Sequence, residues 1–225
     1  MNSKLIWLAL FVILLVSASF APQKKKKVVF FGDSITQAGV SPNGYITVLD
    51  KTLKQQGIND YELIGAGIGG NKVYDLYLRM EDDVLSKSPD IVIIYVGVND
   101  VWHKRSFGTG TDPDKFEKFY RAIIKKLQAA NAKVIVCTPA TIGEKNDYSN
   151  EQDGDLNKYS NIIRNMAKDL NLPLVDLRKL FTDYEKSNNN QNTDKGVLTV
   201  DGVHLNDLGN QMVSKAMWEQ IKDIK

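Results

Sequence analysis

The chain has 225 residues, 43% of them hydrophobic and 25% charged, with a formal net charge of +2. That length and balance are those of a globular protein with one substantial core. The charge is too small for a nucleic-acid-binding face, which needs clustered basic side chains. The one local cluster, Lys24 to Lys27, reads as a solvated lead-in to the first strand.

The first 21 residues read as a removable leader. Lys4 supplies a short positive region, residues 5–16 are an uninterrupted apolar run, and Ser19-Phe20-Ala21 puts small residues at the −3 and −1 positions of a cleavage site. The run is shorter than the roughly 20 residues of a spanning helix, and no cysteine directly follows it to carry a lipid. The expected mature chain is therefore residues 22–225, a single domain that is secreted or periplasmic and has no stable membrane anchor. Four lysines just past the apolar run oppose the usual charge asymmetry, which leaves an uncleaved anchor as the alternative. Cys137, the only cysteine, excludes an intrachain disulfide and reads as a buried inert thiol.

Continuous apolar residues over 28–33 predict a buried strand. Ile46, Leu49 and Leu53 recur at helical spacing over 45–56, and Gly57 stops that helix. A second strand is expected over 61–66, then a helix over 73–85 with Leu76, Met80 and Val84 on one face, ended by Ser88-Pro89. Residues 90–96 form the clearest central strand. Asp112-Pro113 opens the next helix, a capping acid followed by proline at the first helical position. Phe116, Phe119, Tyr120, Ile123, Ile124 and Leu127 fill one of its faces. A strand over 133–138 follows, then a helix over 155–170 with Tyr159, Ile162, Ile163 and Met166 on one side. A short strand over 173–177 and a terminal helix over 206–221, with Leu208, Met212, Ala216 and Met217 inward, complete the series. Such alternation implies a parallel sheet covered on both faces. The asparagine-rich residues 187–193 read as a mobile loop. Residues 140–154, long for a β–α connection, read as a loop that shapes a binding site.

The first strand stops at Gly32-Asp33-Ser34. In an open α/β sheet, ligands sit beyond the carboxyl ends of the strands, so a serine placed there has its hydroxyl exposed and its N–H free. Two other stretches answer it: Gly97-Val98-Asn99-Asp100 after the central strand, and Asp201-Gly202-Val203-His204 near the C-terminus. A serine hydroxyl needs a base to take its proton, and the base needs an orienting partner. His204 fits the first role. Asp201, three residues earlier, reaches Nδ1 across a tight turn and leaves Nε2 to face the serine. The oxyanion formed in attack on an ester needs donors already in place. Candidates are the Ser34 N–H, an N–H from the glycine-rich turn 65–70, and the Asn99 amide. Gly65, Gly67 and Gly70 also fit a dinucleotide fingerprint, but the acid about 20 residues on, Asp90, begins the next strand instead of ending it.

In order, Gly32-Asp33-Ser34, Gly69-Gly70-Asn71, Gly97-Val98-Asn99-Asp100 and Asp201-Gly202-Val203-His204 resemble the four blocks of the GDSL/SGNH hydrolases. Each block alone is weak; four in order across the mature chain are specific. The resemblance implies a flavodoxin-like three-layer α/β/α sandwich with a five-stranded parallel sheet. It further implies a Ser34–His204–Asp201 triad working through an acyl-enzyme, an oxyanion hole of Ser34, Gly70 and Asn99, and no metal or organic cofactor. Trp102 and His103 directly follow Asn99-Asp100 and are candidate substrate contacts at the pocket rim; Trp102 reads equally as a sugar platform or as core packing. The expected function is a serine esterase for short acyl, chiefly acetyl, esters of small molecules or carbohydrates. A lysophospholipase, thioesterase or acyltransferase, or a catalytically silent binding protein on the same scaffold, are the alternatives.

Overall fold

The computed structural model describes residues 24–224, so the expected leader over 1–21 lies outside the described residues. Five strands, β1 (Lys26–Gly32), β2 (Tyr61–Gly67), β3 (Ile91–Tyr95), β4 (Lys133–Cys137) and β5 (Leu174–Val175), pair in parallel in the order β2-β1-β3-β4-β5. The eight α-helices among the described residues are α1 (Ser34–Ala38), α2 (Tyr45–Gln55), α3 (Val73–Asp83), α4 (Val98–Ser106), α5 (Pro113–Ala129), α6 (Asp153–Asp169), α7 (Leu177–Asn188) and α8 (Asp207–Ile221).

The strands read as continuous apolar runs because successive side chains enter different layers of core. Val29, Phe31, Val92, Ile94, Val134 and Val136 pack with Leu76 and Met80 of α3, the apolar face of α5, and Leu156, Tyr159, Ile163 and Met166 of α6. Val28, Phe30, Ile91, Ile93, Ile135 and Cys137 pack on the other side with α2, with Leu177 and Phe181 of α7, and with Val213, Met217 and Ile221 of α8. The chain leaves β1 for β2 on one side and returns to β3 on the other. That reversal opens a crevice at the carboxyl ends of β1 and β3. The three-layer α/β/α sandwich with a five-stranded parallel sheet is thus the fold of the chain.

Local details depart from the expectations. Pro113 occupies the first position of α5, but the Asp112 side chain makes no capping hydrogen bond and lies 3.9 Å from Lys115 Nζ. In α8 the buried face is Gly209, Val213, Met217 and Ile221. Leu208, expected inward, is 38% exposed, because the four-residue rise of that face leaves position 208 turned away. Residues 187–193 are not an open loop: Ser187 and Asn188 belong to the last turn of α7, and Asn189 is buried. The Asn189 amide donates to the carbonyls of Glu144 and Thr193, while its oxygen accepts from the Thr193 N–H.

Arg178 fastens both ends of the long connection after β4: it donates to the Ala140 carbonyl at 3.3 Å and, at the start of α6, to Asp153 Oδ1 at 2.6 Å and Asn157 Oδ1 at 2.8 Å. Glu185, seven residues further along α7, is buried with an unpartnered Oε1. Burial, opposed by the charge of Arg178 and reinforced by Glu144 and Asp153, pushes its carboxyl up to about 8. Between 4.5 and about 8 the folded chain keeps a proton that the unfolded chain has released, so stability contributed by this group falls as pH rises through that window. The neutral, near-isosteric Glu185→Gln is expected to gain on the order of 4 kcal/mol over wild type on moving from pH 5 to pH 9. Urea unfolding at the two pH values measures this, and an unchanged difference would mean that Glu185 titrates as an ordinary carboxyl.

Candidate active site

The site is assembled at the carboxyl ends of β1 and β3 and completed by the turn before α8. Gly32 ends β1 where no side chain fits: a Cβ there would lie 2.3 Å from Thr36 Oγ1 and 2.4 Å from the Tyr95 carbonyl oxygen. The close approach lets the chain turn at once into α1. Asp33 caps that helix, accepting from the Ile35 N–H at 3.0 Å, and Ser34 is its first residue. Burial pushes the Asp33 carboxyl up to about 7, with the Ile35 hydrogen bond opposing.

Ser34 Oγ lies 2.9 Å from His204 Nε2 across 170 residues of chain. His204 Nδ1 lies 2.7 Å from Asp201 Oδ2. The carboxylate accepts from Nδ1, so the ring proton sits there and Nε2 is left to accept from the Ser34 hydroxyl. The other oxygen of Asp201 accepts from the N–H groups of Val203 at 3.0 Å and His204 at 2.8 Å. Burial alone would raise the Asp201 carboxyl, but the His204 ring and these two backbone donors outweigh it and hold the group below the usual range. The turn depends on Gly202, whose φ of +95° is the left-handed region that other residues rarely adopt.

Glu144, outside all four sequence blocks, holds this turn from below. Its fully buried carboxylate accepts from the N–H groups of Val197, Leu198 and Thr199 at 2.6–2.7 Å. Thr199 Oγ1 in turn accepts from the Gly202 N–H, and the Gly202 carbonyl accepts from the Gly143 N–H. The residues of the long loop that matter to the site are therefore those that brace the Asp201–His204 turn. A lone acid in a polar loop carries no periodic signal, and its partners lie 53–55 residues away.

The glycine turn after β2 runs past the serine: a Cβ on Gly69 would stand 3.9 Å from Ser34 Cβ. Asn99, buried in the first turn of α4, donates one amide hydrogen to the Asn71 carbonyl at 3.1 Å. Its second amide hydrogen remains available. Asp100 accepts from the Val73 N–H at 3.2 and 3.3 Å. Burial pushes its carboxyl up to about 7, although its hydrogen bonds and Lys72 act the other way. Asn99 and Asp100 together tie the β3–α4 turn to the stretch containing Gly70 and Asn71.

Trp102 is partly buried against the core, and its ring lies edge-on to that of His204 with centroids 6.4 Å apart. It therefore packs inward and still borders His204. His103 stands over the glycine turn, its Cε1 3.7 Å from where a Cβ on Gly70 would be, and stacks edge-on against Phe107. Burial and then the charge of Lys72 hold its ring below the ordinary histidine range. Asp100 precedes His103 by three residues, as Asp201 precedes His204. Spacing does not separate the two histidines; the direction of the carboxylates does.

A hydroxyl, an imidazole and a carboxylate hydrogen-bonded in series across the strand ends make a framework for acyl-group chemistry, and the likenesses of the chain are to hydrolases of ester bonds, the class to which it belongs. The chain belongs to the GDSL-like Lipase/Acylhydrolase family, whose model matches residues 30–212. Among solved structures it is similar to an acetyl xylan esterase, AlAXEase, at 68% identity and a TM-score of 0.85, covering 86% of this chain and 98% of that one. It is 27% identical over 218 residues to an acetylxylan esterase of Geobacillus stearothermophilus, covering 87% of this chain and 94% of that protein. It is 26% identical to the uncharacterized lipoprotein YqeF of Bacillus subtilis (strain 168), covering 96% of each.

Proposed function

We propose that the chain is a carbohydrate acetylesterase that removes acetyl groups from an acetylated polysaccharide of the xylan type. The observation that carries the chemistry is the hydrogen-bonded series Ser34–His204–Asp201 at 2.9 and 2.7 Å. The substrate class is supported by the 68% likeness to an acetyl xylan esterase over nearly all of that protein.

In this reading Ser34 Oγ attacks the acetyl carbon while His204 Nε2 takes its proton. The oxyanion is met by the N–H groups of Ser34 and Gly70 and by the free amide hydrogen of Asn99. His204 then returns the proton to the sugar oxygen as its bond to the acetyl carbon breaks, leaving acetyl-Ser34. Water attacks that ester, gives its proton to His204, and acetate departs as Ser34 regains a proton from the imidazole. Asp201 orients the ring and stabilises the imidazolium. The cycle calls on no metal or organic cofactor. Trp102 and His103 are assigned to the rim where the sugar rests. Export is part of the proposal, on the strength of the leader composition over 1–21 and the likeness to a lipoprotein.

Residues 22–225 are expected to hydrolyse p-nitrophenyl acetate far faster than p-nitrophenyl octanoate, and to release acetate from acetylated xylan. Preference for octanoate would move the substrate to lipids or thioesters. Acetylated product formed on an added alcohol in place of free acetate would make the chain an acyltransferase.

A further inference from the structure

The glycine turn that approaches Ser34 is tied to its surroundings by Arg79 of α3. The Arg79 Nε donates to Asn71 Oδ1 at 2.7 Å. Its Nη2 donates to the carbonyl of Gly32 at 2.7 Å and to that of Ala66 at 3.0 Å. Its Nη1 pairs with Asp83 at 2.7 Å, and the guanidinium lies 4.7 Å from the centroid of the Phe31 ring. The side chain is only 14% exposed.

These partners belong to three separate pieces of the site. Gly32 lies two residues before Ser34. Ala66 lies at the end of β2, from which the glycine turn departs. Asn71 follows Gly70, and its carbonyl is the group that orients the Asn99 amide. One rigid planar fork therefore joins the strand of the nucleophile, the strand feeding the glycine turn, and the residue beyond that turn. A lysine ammonium is a point charge on a flexible stem and does not reproduce that planar fork.

We propose that Arg79 is the positioning residue of the oxyanion hole, setting the Gly70 N–H and the Asn99 amide relative to Ser34; this rests on the acetylesterase reading above. Arg79 touches no substrate in this role. Its loss lets the donors drift from the place where negative charge develops, so turnover falls while ground-state binding is kept.

The test compares wild type, Arg79→Ala, Arg79→Lys and Ser34→Ala on p-nitrophenyl acetate, with circular dichroism and thermal midpoints recorded for each. Folded Arg79→Ala is expected to lose on the order of 10²-fold in kcat with KM changed by less than about twofold. Fluorophosphonate labelling of Ser34 should slow in parallel, because that reaction also builds charge on an oxygen in the hole. Arg79→Lys is expected to keep the fold and most of the defect, and guanidinium ion, below the concentration that unfolds the protein, to restore part of the Arg79→Ala rate. Wild-type kcat in a folded Arg79→Ala, or a loss that only tracks the fraction of unfolded protein in both variants, overturns the assignment. A wild type no faster than Ser34→Ala overturns the esterase reading itself, which separates the two failures.

Discussion

Ser34→Ala is expected to lower turnover of p-nitrophenyl acetate on the order of 10⁶-fold, the size of effect seen when a serine nucleophile is removed. The Ser34 hydroxyl is hydrogen-bonded to His204 Nε2, so its removal leaves the imidazole with no oxygen to deprotonate except water. The backbone N–H of residue 34 stays in place, and with Gly70 and Asn99, its partners in the proposed oxyanion hole, it is expected to retain a small residual rate above solution. The thermal midpoint should move little, since Ser34 is only partly buried at the start of α1 and alanine fits a helix well. Covalent labelling by a fluorophosphonate should disappear in the same variant. Undiminished turnover would place the nucleophile elsewhere and end the triad assignment.

Asp201→Asn tests a different link with nearly as large an expected loss, on the order of 10⁴-fold in kcat. The asparagine oxygen can still accept from the Val203 and His204 N–H groups, where the aspartate accepts at 3.0 and 2.8 Å. The amide nitrogen then faces His204 Nδ1, at the place where the carboxylate oxygen stands 2.7 Å away. A donor there stabilises the ring with its proton on Nε2, the tautomer that cannot accept from Ser34. Turn geometry is preserved while proton transfer is lost. A proton NMR signal for the Nδ1 hydrogen should be present in wild type and absent in the variant, and a variant with wild-type kcat would remove Asp201 from the orienting role.

Much of the fold is legible in the amino-acid order. The strands are readable because burial on both faces leaves no polar position, so residues 28–31 and 91–94 are apolar throughout. The helices α5 and α6 are readable because each packs one stripe on the sheet and leaves the rest in water. Helix α4 is not, because its buried residues are Val98, Asn99, Asp100 and Val101 in one turn, a cluster without helical spacing. Helix α7 is hidden by its charge: Arg178 and Glu185 are buried on it, so polar residues occupy positions that a pattern reading reserves for apolar ones. Arg79 stands beside the core positions Leu76 and Met80, and a charged residue on that border is the one local trace of its contacts with three distant stretches.

Local composition and order specify the alternation of strands and helices and the four polar blocks that close on the strand ends. The order of the strands, the residues that brace the site, and the choice between two acid–histidine pairs are settled only in the folded chain. The cause is competition for hydrogen bonds between residues far apart in sequence. Asp100 and Asp201 both stand three residues before a histidine, but Asp100 is drawn to the Val73 N–H, 27 residues earlier in the chain. Asp201 finds its donors inside its own turn and so stays with His204.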